Sequence, residues 1–164
     1  MVDEWVRVLR DSDVGAVVAL SLRAWEPVFA SFERQLGRRL FARLYPDWRA
    51  QQEESVRQAL ADNETWVSAE GDRVTGFVNV IFSVGDASAE IYMIAVDPAF
   101  QRRGIASALT GHALSEMRRR GITLATVATG GDPGHAPARR TYEKAGFTSF
   151  PQVLYSRVLA PDEP

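Results

Sequence analysis

The chain reads Ile91-Tyr92-Met93-Ile94-Ala95-Val96-Asp97-Pro98 and, two residues later, Gln101-Arg102-Arg103-Gly104-Ile105-Ala106. The apolar run predicts a buried strand that ends at the proline, and the glycine-containing turn predicts the start of a helix. A turn of this composition can direct consecutive backbone N–H groups into one cup, in front of the positive end of the helix dipole. The stretch therefore favours a pyrophosphate-binding loop, in which Gly104 tolerates a positive φ and keeps a side chain away from the ligand.

A second interpretation of this turn stays open, namely a tight strand-to-helix connection that carries solvated arginines. The chain contains neither G-x-x-x-x-G-K-[ST] nor G-x-G-x-x-G, so the turn belongs to neither of the two common nucleotide-binding motifs. The choice between the two interpretations therefore depends on what else the chain contains.

A second motif lies downstream, His135-Ala136-Pro137-Ala138-Arg139-Arg140-Thr141-Tyr142-Glu143-Lys144-Ala145-Gly146-Phe147. It predicts a short helix that ends at Gly146, with Phe147 opening the next strand. At this spacing Ala138, Tyr142 and Ala145 share one face of the helix. The motif thus places a tyrosine on the inner side of a helix that follows the glycine-containing turn.

Together the two motifs resemble motifs A and B of the GNAT family of N-acetyltransferases. In that family the pattern Q/R-x-x-G-x-G/A holds the pyrophosphate of acetyl-CoA, and N-x-x-A-x-x-x-Y-x-x-x-G-F carries a tyrosine beside the CoA sulfur. The matching residues are Gln101, Gly104 and Ala106 in the first pattern, and Ala138, Tyr142, Gly146 and Phe147 in the second. The chain departs from the second pattern at His135, where the family usually has an asparagine that binds the pantetheine arm.

The resemblance implies an α/β (α+β) fold, with a mixed central sheet of six to seven strands, about four helices and the order β-α-α-β-β-β-α-β-α-β-β. It also implies acetyl-CoA (coenzyme A) as co-substrate, its pantetheine arm lying against the strand before the loop, where a bulge splays the two central strands. The residues that this comparison predicts to contact the cofactor are Ile94, Ala95, Val96, Gln101, Arg102, Arg103, Gly104, Ile105, Ala106, Ser107, His135, Arg139 and Tyr142.

Acetyl transfer to an amine needs a proton donor for the departing thiolate and a way to deliver the amine unprotonated. Tyr142 is the predicted donor, because a phenol can protonate a thiolate of lower pKa, although a tyrosine on an inner helix face can equally be core. Glu90, at the start of the strand before the loop, resembles the position from which some family members use a glutamate as base. Ordered water is the alternative base. His135 can contact the pantetheine arm, cap the helix or titrate.

The region between Trp25 and Trp48 corresponds to the part of the family that lines the acceptor pocket. Trp25, Glu26 and Phe29 are predicted to bind the acceptor, as an aromatic cleft with an acidic group that attracts a cationic amine. A stripe of aromatic residues can also be ordinary core, and this interpretation stays open.

Composition restricts the remaining possibilities. The 164 residues suit one domain, predicted over 1–159 with a frayed tail over 160–164, and a chain of this size buries roughly 70% of its extended surface. The net charge of −2 gives no sign of a nucleic-acid or general membrane partner, and no run approaches a membrane span. The chain has no cysteine, and its two histidines are too far apart to suggest a metal site. Its N-terminus does not resemble a signal peptide, which favours a cytoplasmic location.

Periodicity and turn residues predict the elements outside the two motifs. Asp11 to Asp13 offer caps for a helix that runs to about Trp25 and is interrupted by Pro27. Phe147 to Phe150 and Val153 to Leu159 are predicted to be the closing strands.

The sequence therefore predicts an acetyl-CoA-dependent N-acetyltransferase that acts on a primary amine of a small molecule or peptide. Three alternatives remain: another acyl-CoA donor, another type of acceptor, or a CoA-binding regulatory module without turnover. A homodimer is compatible with the sequence, which does not indicate an oligomeric state.

Overall fold

The computed structural model describes residues 5–159, the side chain of Val84 excepted. Within this range the strands are β1 (Val6–Val8), β2 (Glu64–Glu70), β3 (Arg73–Ser83), β4 (Ser88–Val96) and β5 (Leu124–Val127). The helices are α1 (Val14–Leu36), α2 (Arg38–Leu44), α3 (Trp48–Asp62), α4 (Ile105–Arg119) and α5 (Ala136–Lys144). Short 3₁₀ turns cover Asp11–Asp13, Val84–Asp86, Pro98–Phe100 and Pro133–His135.

The strands form one mixed sheet in chain order. β1 to β4 are successively antiparallel, and β5 pairs with β4 in parallel after the crossover through α4. The register of β3 with β4 shifts between Asn79, opposite Met93, and Val80, opposite Ile91, so Tyr92 is an extra residue in β4. Pairing of β4 with β5 ends at Ile91. The bulge therefore coincides with the point at which the two central strands separate.

Alternation along the central strands builds a core on each face of the sheet. On one face Leu109, Ala113 and Met117 of α4 pack on Val78 and Ile91. On the other face the apolar sides of α1 and α3 pack on the sheet; this cluster includes Val17, Leu20, Val56, Val67 and Phe77. α1 and α4 thus lie on opposite faces of the sheet, and both adjoin the end of β4.

The expectation that the first helix is interrupted at Pro27 was wrong. α1 continues through Pro27 to Leu36, because the turns beyond the proline bury Val28, Phe29 and Ser31. This burial outweighs the hydrogen bond that a proline removes from the helix. α1 therefore forms one long wall beside the sheet.

The helical segment Asp11–Leu36 has 26 residues and a mean hydropathy of 1.2, so by length and composition alone it could cross a membrane. The sequence-based statement that no run approaches such a span was therefore too strong. In this fold the apolar side of the segment packs on the sheet, with Val17 and Leu20 fully buried. The segment is thus a core helix in this structure.

The two closing strands that the sequence predicted are not formed. Phe147 donates its backbone N–H to Tyr142, but no backbone hydrogen bond within the described residues involves 148–159. Pro151 cannot donate to a strand ladder, and Phe150, Leu154 and Tyr155 remain more than four-fifths exposed. The described residues thus contain five strands, fewer than the six to seven expected. The expected tail, 160–164, lies outside the described residues.

Candidate active site

A cleft of 910 Å³ opens where β4 separates from β5. Its floor is the end of β4, and one side is the loop that leads into α4. One side of α5 with the turn before it, and the middle of α1, form the other walls. The lining residues that matter below are Trp25, Val28, Ile94, Val96, Gln101–Ser107, Gly134, His135, Ala138, Arg140, Tyr142 and Lys144.

Beyond its pairing with β5, the cleft-facing side of β4 has no partner strand within residues 5–159, although Gln101 Nε2 donates to the carbonyl of Val96 at 3.2 Å. The N–H of Asp97 donates to Thr75 O at 2.8 Å, so this residue points its backbone groups toward β3. Because backbone groups alternate along an antiparallel strand, those of Val96 and Ile94 point away from β3. Pairing with β5 has already ended at Ile91, so that edge is open. The cleft floor can therefore pair with an extended, peptide-like ligand.

The loop before α4 ends in two residues with left-handed backbone. Arg102 has a φ of 62°, and Gly104, the residue before α4, has a φ of 83°. No side chain caps the helix, and the first intrahelical bond runs from Ala108 N to Gly104 O at 3.0 Å. The N–H groups of the first turn are therefore available to an anion. A Cβ on Gly104 would meet open space, so backbone conformation is what requires glycine here.

The cleft is lined by four cationic side chains, Arg102, Arg103, Arg140 and Lys144. Within residues 5–159, no Asp or Glu lines it. Arg103 is placed by the ring of Phe100, whose centroid lies 4.9 Å from the guanidinium carbon. Together with the uncapped start of α4, these charges favour a ligand that carries several negative charges.

Tyr142 lies on the inner side of α5 and is 7% exposed. Its ring packs edge-on against Phe147 at 5.9 Å, and within residues 5–159 its hydroxyl makes no hydrogen bond. Burial raises the pKa of Tyr142 to about 12. The phenol is therefore protonated at neutral pH and can donate a proton into the cleft.

His135 is the last residue of the 3₁₀ turn that precedes α5. Its Nδ1 makes a short hydrogen bond to Asp132 Oδ1. Burial alone raises the pKa of Asp132, but hydrogen bonds from His135 and Ser31 outweigh it and hold that pKa below the ordinary value. The side chain of Asp132 is thus an ionised partner of the imidazole.

Four of the predicted site residues do not line the cleft. Glu90 lies where β4 is still paired on both sides, opposite Ile81 and Thr126. Arg139 instead donates to the carbonyls of Gly130 at 2.5 Å and Asp132 at 2.8 Å. The carboxylate of Glu26 pairs with Arg49 at 2.6 Å on the surface.

The fourth of these residues, Phe29, belongs to an aromatic cluster that joins α1 to α2 and α3. Its ring stacks on Trp48 at 4.4 Å and meets Tyr45 edge-on at 5.4 Å. The aromatic stripe is therefore core, as the alternative interpretation held, and of the three predicted acceptor residues only Trp25 lines the cleft.

Sequence reasoning missed Asp132, Arg140 and Lys144. The spacing of Asp132 and His135 in an Asp-Pro-Gly-His turn is a signal, because aspartate commonly starts such turns. For Arg140 and Lys144, four residues apart on one helix, the sequence does not indicate which face of α5 is turned to the cleft.

Two central strands separate at a bulge, next to a helix whose first turn is uncapped and a cleft lined by cations. This arrangement is suited to a protein that holds an extended anionic ligand against a strand edge. The sequence profile of the acetyltransferase (GNAT) family matches residues 28–147. The chain therefore belongs to the GNAT family of acetyltransferases, as the two motifs predicted.

Among curated proteins, the mycothiol acetyltransferase of Beutenbergia cavernae is 35% identical over 122 residues, which cover 69% of this chain and 39% of that protein. The chain thus spans about two fifths of the length of this relative. A GNAT-family acetyltransferase structure from Desulfovibrio desulfuricans has a TM-score of 0.66 at 22% identity, covering 89% of this chain and 85% of that one. The PaiA N-acetyltransferase of Thermoplasma acidophilum, solved with coenzyme A, has a TM-score of 0.62 at 15% identity, covering 87% and 88%. These structures confirm the predicted fold class.

Proposed function

We propose that this chain transfers an acetyl group from acetyl-CoA to a primary amine of a small molecule or peptide, by direct attack in a ternary complex. The observation that carries the proposal is the junction of three features in one cleft. The open edge at Ile94 and Val96, the uncapped start of α4 and the inward-facing Tyr142 all meet there.

Each part of acetyl-CoA has a counterpart in this cleft. The pyrophosphate suits the N–H groups at the start of α4, where the helix dipole adds about half a positive charge. Arg102 and Arg103 supply charge-assisted hydrogen bonds to the phosphates. The pantetheine amides pair with the cleft-facing backbone of Ile94 and Val96, where they replace the bond from Gln101 Nε2 to the carbonyl of Val96. This arrangement directs the thioester toward Tyr142.

The chemical step needs a proton on the departing sulfur. The buried phenol of Tyr142 keeps its proton at neutral pH, since its pKa is about 12. The departing thiolate accepts a hydrogen bond from this phenol, which stabilises the charge on sulfur as the C–S bond breaks, and takes up the proton to leave as a thiol. Tyr142 is therefore assigned the role of proton donor to CoA.

The acceptor is an amine that enters along α1. Trp25 and Val28 form the wall of the cleft on this side, together with Gly134 and His135 from the turn before α5. The curated relative named above is a mycothiol acetyltransferase, which supports a small molecule as the first acceptor class to examine.

The assignment is tested by calorimetry with acetyl-CoA and by release of CoA thiol with a panel of amines: glucosamine, an aminoglycoside and a peptide with a free N-terminus. We expect binding by the wild type and turnover of at least one amine. Gly104→Glu should abolish binding, because it places bulk and negative charge at the pyrophosphate position.

The matched control is Gly111→Glu, which adds the same group to an exposed glycine of α4 with no atom within 4 Å of its Cβ. Unchanged acetyl-CoA affinity in a folded Gly104→Glu variant would contradict the loop assignment. Binding without acetylation of any amine would contradict the proposed activity.

A further inference from the structure

His135 lines the cleft and is paired with Asp132, which is not among the lining residues; we call this pair the Asp132–His135 dyad. Asp132 Oδ1 takes the short hydrogen bond with His135 Nδ1, while Asp132 Oδ2 accepts the N–H of Gly134 at 2.9 Å. The Asp132 side chain is 8% exposed and that of His135 is 18% exposed. The turn is packed so closely that a Cβ on Gly130 would overlap both the carboxylate and the imidazole.

Neighbouring elements fix the dyad from several sides. Arg139 of α5 holds the two backbone carbonyls of Gly130 and Asp132. From α1, Ser31 Oγ accepts the N–H of Gly134 at 3.3 Å, and the ring of Phe32 lies 5.6 Å from the imidazole. The imidazole is therefore held in one orientation in the absence of any ligand.

This geometry determines which nitrogen is free to act. An ionised carboxylate can only accept, so Nδ1 carries the proton of the neutral imidazole and Nε2 carries the lone pair. Within residues 5–159, no carboxylate lines the cleft, and the cationic side chains that line it are three arginines and one lysine. His135 thus lines the cleft with a nitrogen lone pair, which arginine and a charged lysine lack.

We propose that His135 is the general base of the acetyl transfer and that Asp132 is its positioning residue. The inference rests on the proposed function and assigns its missing base, in place of Glu90. His135 directly precedes α5 and Tyr142 lies seven positions later, so the two residues are about 10 Å apart along the helix axis, and both line the cleft. Ala138 lies between them with a small side chain, which leaves room for the thioester and the amine.

The step balances with these two residues. The amine nitrogen bonds to the thioester carbon, its proton passes to His135 Nε2, and the C–S bond breaks with its electron pair going to sulfur. Sulfur takes the proton of the Tyr142 hydroxyl, which gives the amide and free CoA thiol. The proton on His135 then returns through water to the phenolate of Tyr142, so both residues regain their starting state.

The test uses His135→Ala and His135→Gln, with the panel amine that the wild type turns over fastest. We expect kcat to fall by about 10²–10⁴-fold, the usual contribution of a general base, while acetyl-CoA affinity stays within about threefold. Imidazole added to His135→Ala should restore part of the rate. His112→Gln is the matched control, because it changes the other histidine, which packs on Trp66 outside the cleft.

The positioning role of Asp132 is tested in a double-mutant cycle. Asp132→Asn should lower kcat in the wild-type background and have no further effect on kcat when His135 is already alanine. A purely structural role would lower kcat equally in both backgrounds. His135→Gln serves as the reference if His135→Ala does not fold, because glutamine keeps a polar side chain in the packed turn.

Three results overturn the proposal, and they are distinguishable. If the wild type turns over an amine and both His135→Ala and His135→Gln keep a near-normal kcat, the role of the dyad as base is contradicted. The acetyltransferase assignment then stands. Binding of acetyl-CoA by the wild type without acetylation of any panel amine overturns both. Loss of acetyl-CoA affinity in His135→Gln assigns the residue to the pantetheine arm and also contradicts a role as base.

Discussion

Tyr142 shows how a fold can give one side chain its chemistry. The residue is a phenol on a short, mostly polar helix, yet it is 7% exposed because Phe147 covers one side of the ring. Removal from water disfavours the phenolate, and the pKa rises to about 12. A group so strongly protonated serves as a donor and is unsuited to act as a base at neutral pH.

Replacement of Tyr142 by Phe should lower kcat by about 10²–10⁴-fold, because it removes the hydroxyl and keeps the ring and its packing. Acetyl-CoA affinity and Tm should stay close to the wild-type values. Steady-state kinetics, calorimetry and thermal melting measure the three quantities. Tyr155→Phe, at an 89% exposed tyrosine, is the control, and near-normal turnover of Tyr142→Phe would make the tyrosine structural.

At the scale of elements, the end of β4 carries most of the site. The bulge at Tyr92 separates β4 from β5, and the same strand then leads into the loop before α4. The buried side chain of Asp97 fixes this junction. Its carboxylate accepts the N–H of Ala99 at 3.0 Å and pairs with Arg23 of α1 at 2.7 Å. One side chain thus ties the floor of the cleft to its wall.

Asp97→Asn should weaken acetyl-CoA binding and lower the free energy of unfolding by about 1 kcal/mol, because it keeps a cap but removes the charge that holds Arg23. Burial raises the pKa of Asp97, but Ala99 N–H and Arg23 outweigh it, so the net pKa is lowered. The stabilisation is therefore complete above the ordinary value of 3.8 and is lost as the pH falls through the lower folded-state pKa.

Chemical denaturation of wild type and Asp97→Asn at pH 7 and pH 3 measures this, together with calorimetry at pH 7. The difference in unfolding free energy should be larger at pH 7. Asp11→Asn, at an exposed aspartate, is the control. If the difference in unfolding free energy between wild type and Asp97→Asn were the same at pH 3 as at pH 7, the charge of Asp97 would not explain the stabilisation.

Across the whole molecule, ionised carboxylates join elements that are distant in the sequence. Asp13 accepts two hydrogen bonds from Arg7, at 2.6 and 3.0 Å, and joins β1 to the start of α1. Glu64 pairs with Arg120 and joins β2 to the end of α4. The pKa of Asp13 is lowered chiefly by Arg7 and that of Glu64 chiefly by Arg120.

The protein should therefore lose stability in acid. Each of these groups binds a proton more readily in the unfolded chain, so the free energy of unfolding falls as the pH drops below the ordinary values of 3.8 for Asp and 4.5 for Glu. Urea denaturation at pH 7, 5, 4 and 3 should give similar values at the first two and a steady decline below. A free energy of unfolding that rises between pH 5 and pH 3 would contradict the ion-pair argument.

The sequence predicted the site where chemistry depends on local pattern. A strand that ends at Pro98, a glycine before α4 and a tyrosine framed by Ala138 and Gly146 could all be identified from neighbours in the chain. Gly104 and Gly146 have φ values of 83° and 91°, the conformation for which glycine was expected. Backbone dihedrals and helix faces depend on neighbouring residues, so they can be predicted without knowledge of the tertiary packing.

The features that the sequence did not predict depend on contacts between residues that are far apart in the chain. The sequence does not reveal that the packing of Val28 and Phe29 carries α1 through Pro27, or that Glu26 pairs with Arg49 on the surface. The sequence pattern also does not show that residues 148–159 pair with no strand, because a strand needs a neighbouring strand edge as well as a suitable pattern.

The sequence by itself determined the family, and it predicted the loop before α4 and the inner-face position of Tyr142, because each depends on a few consecutive residues. Only the tertiary structure decided which charged groups enter the cleft. It left Glu90, Glu26 and Arg139 outside the lining and brought His135, with Asp132 bonded to it, into the wall. Such choices follow from the packing of α1 against the turn before α5, two segments about a hundred residues apart, and no local pattern encodes that contact.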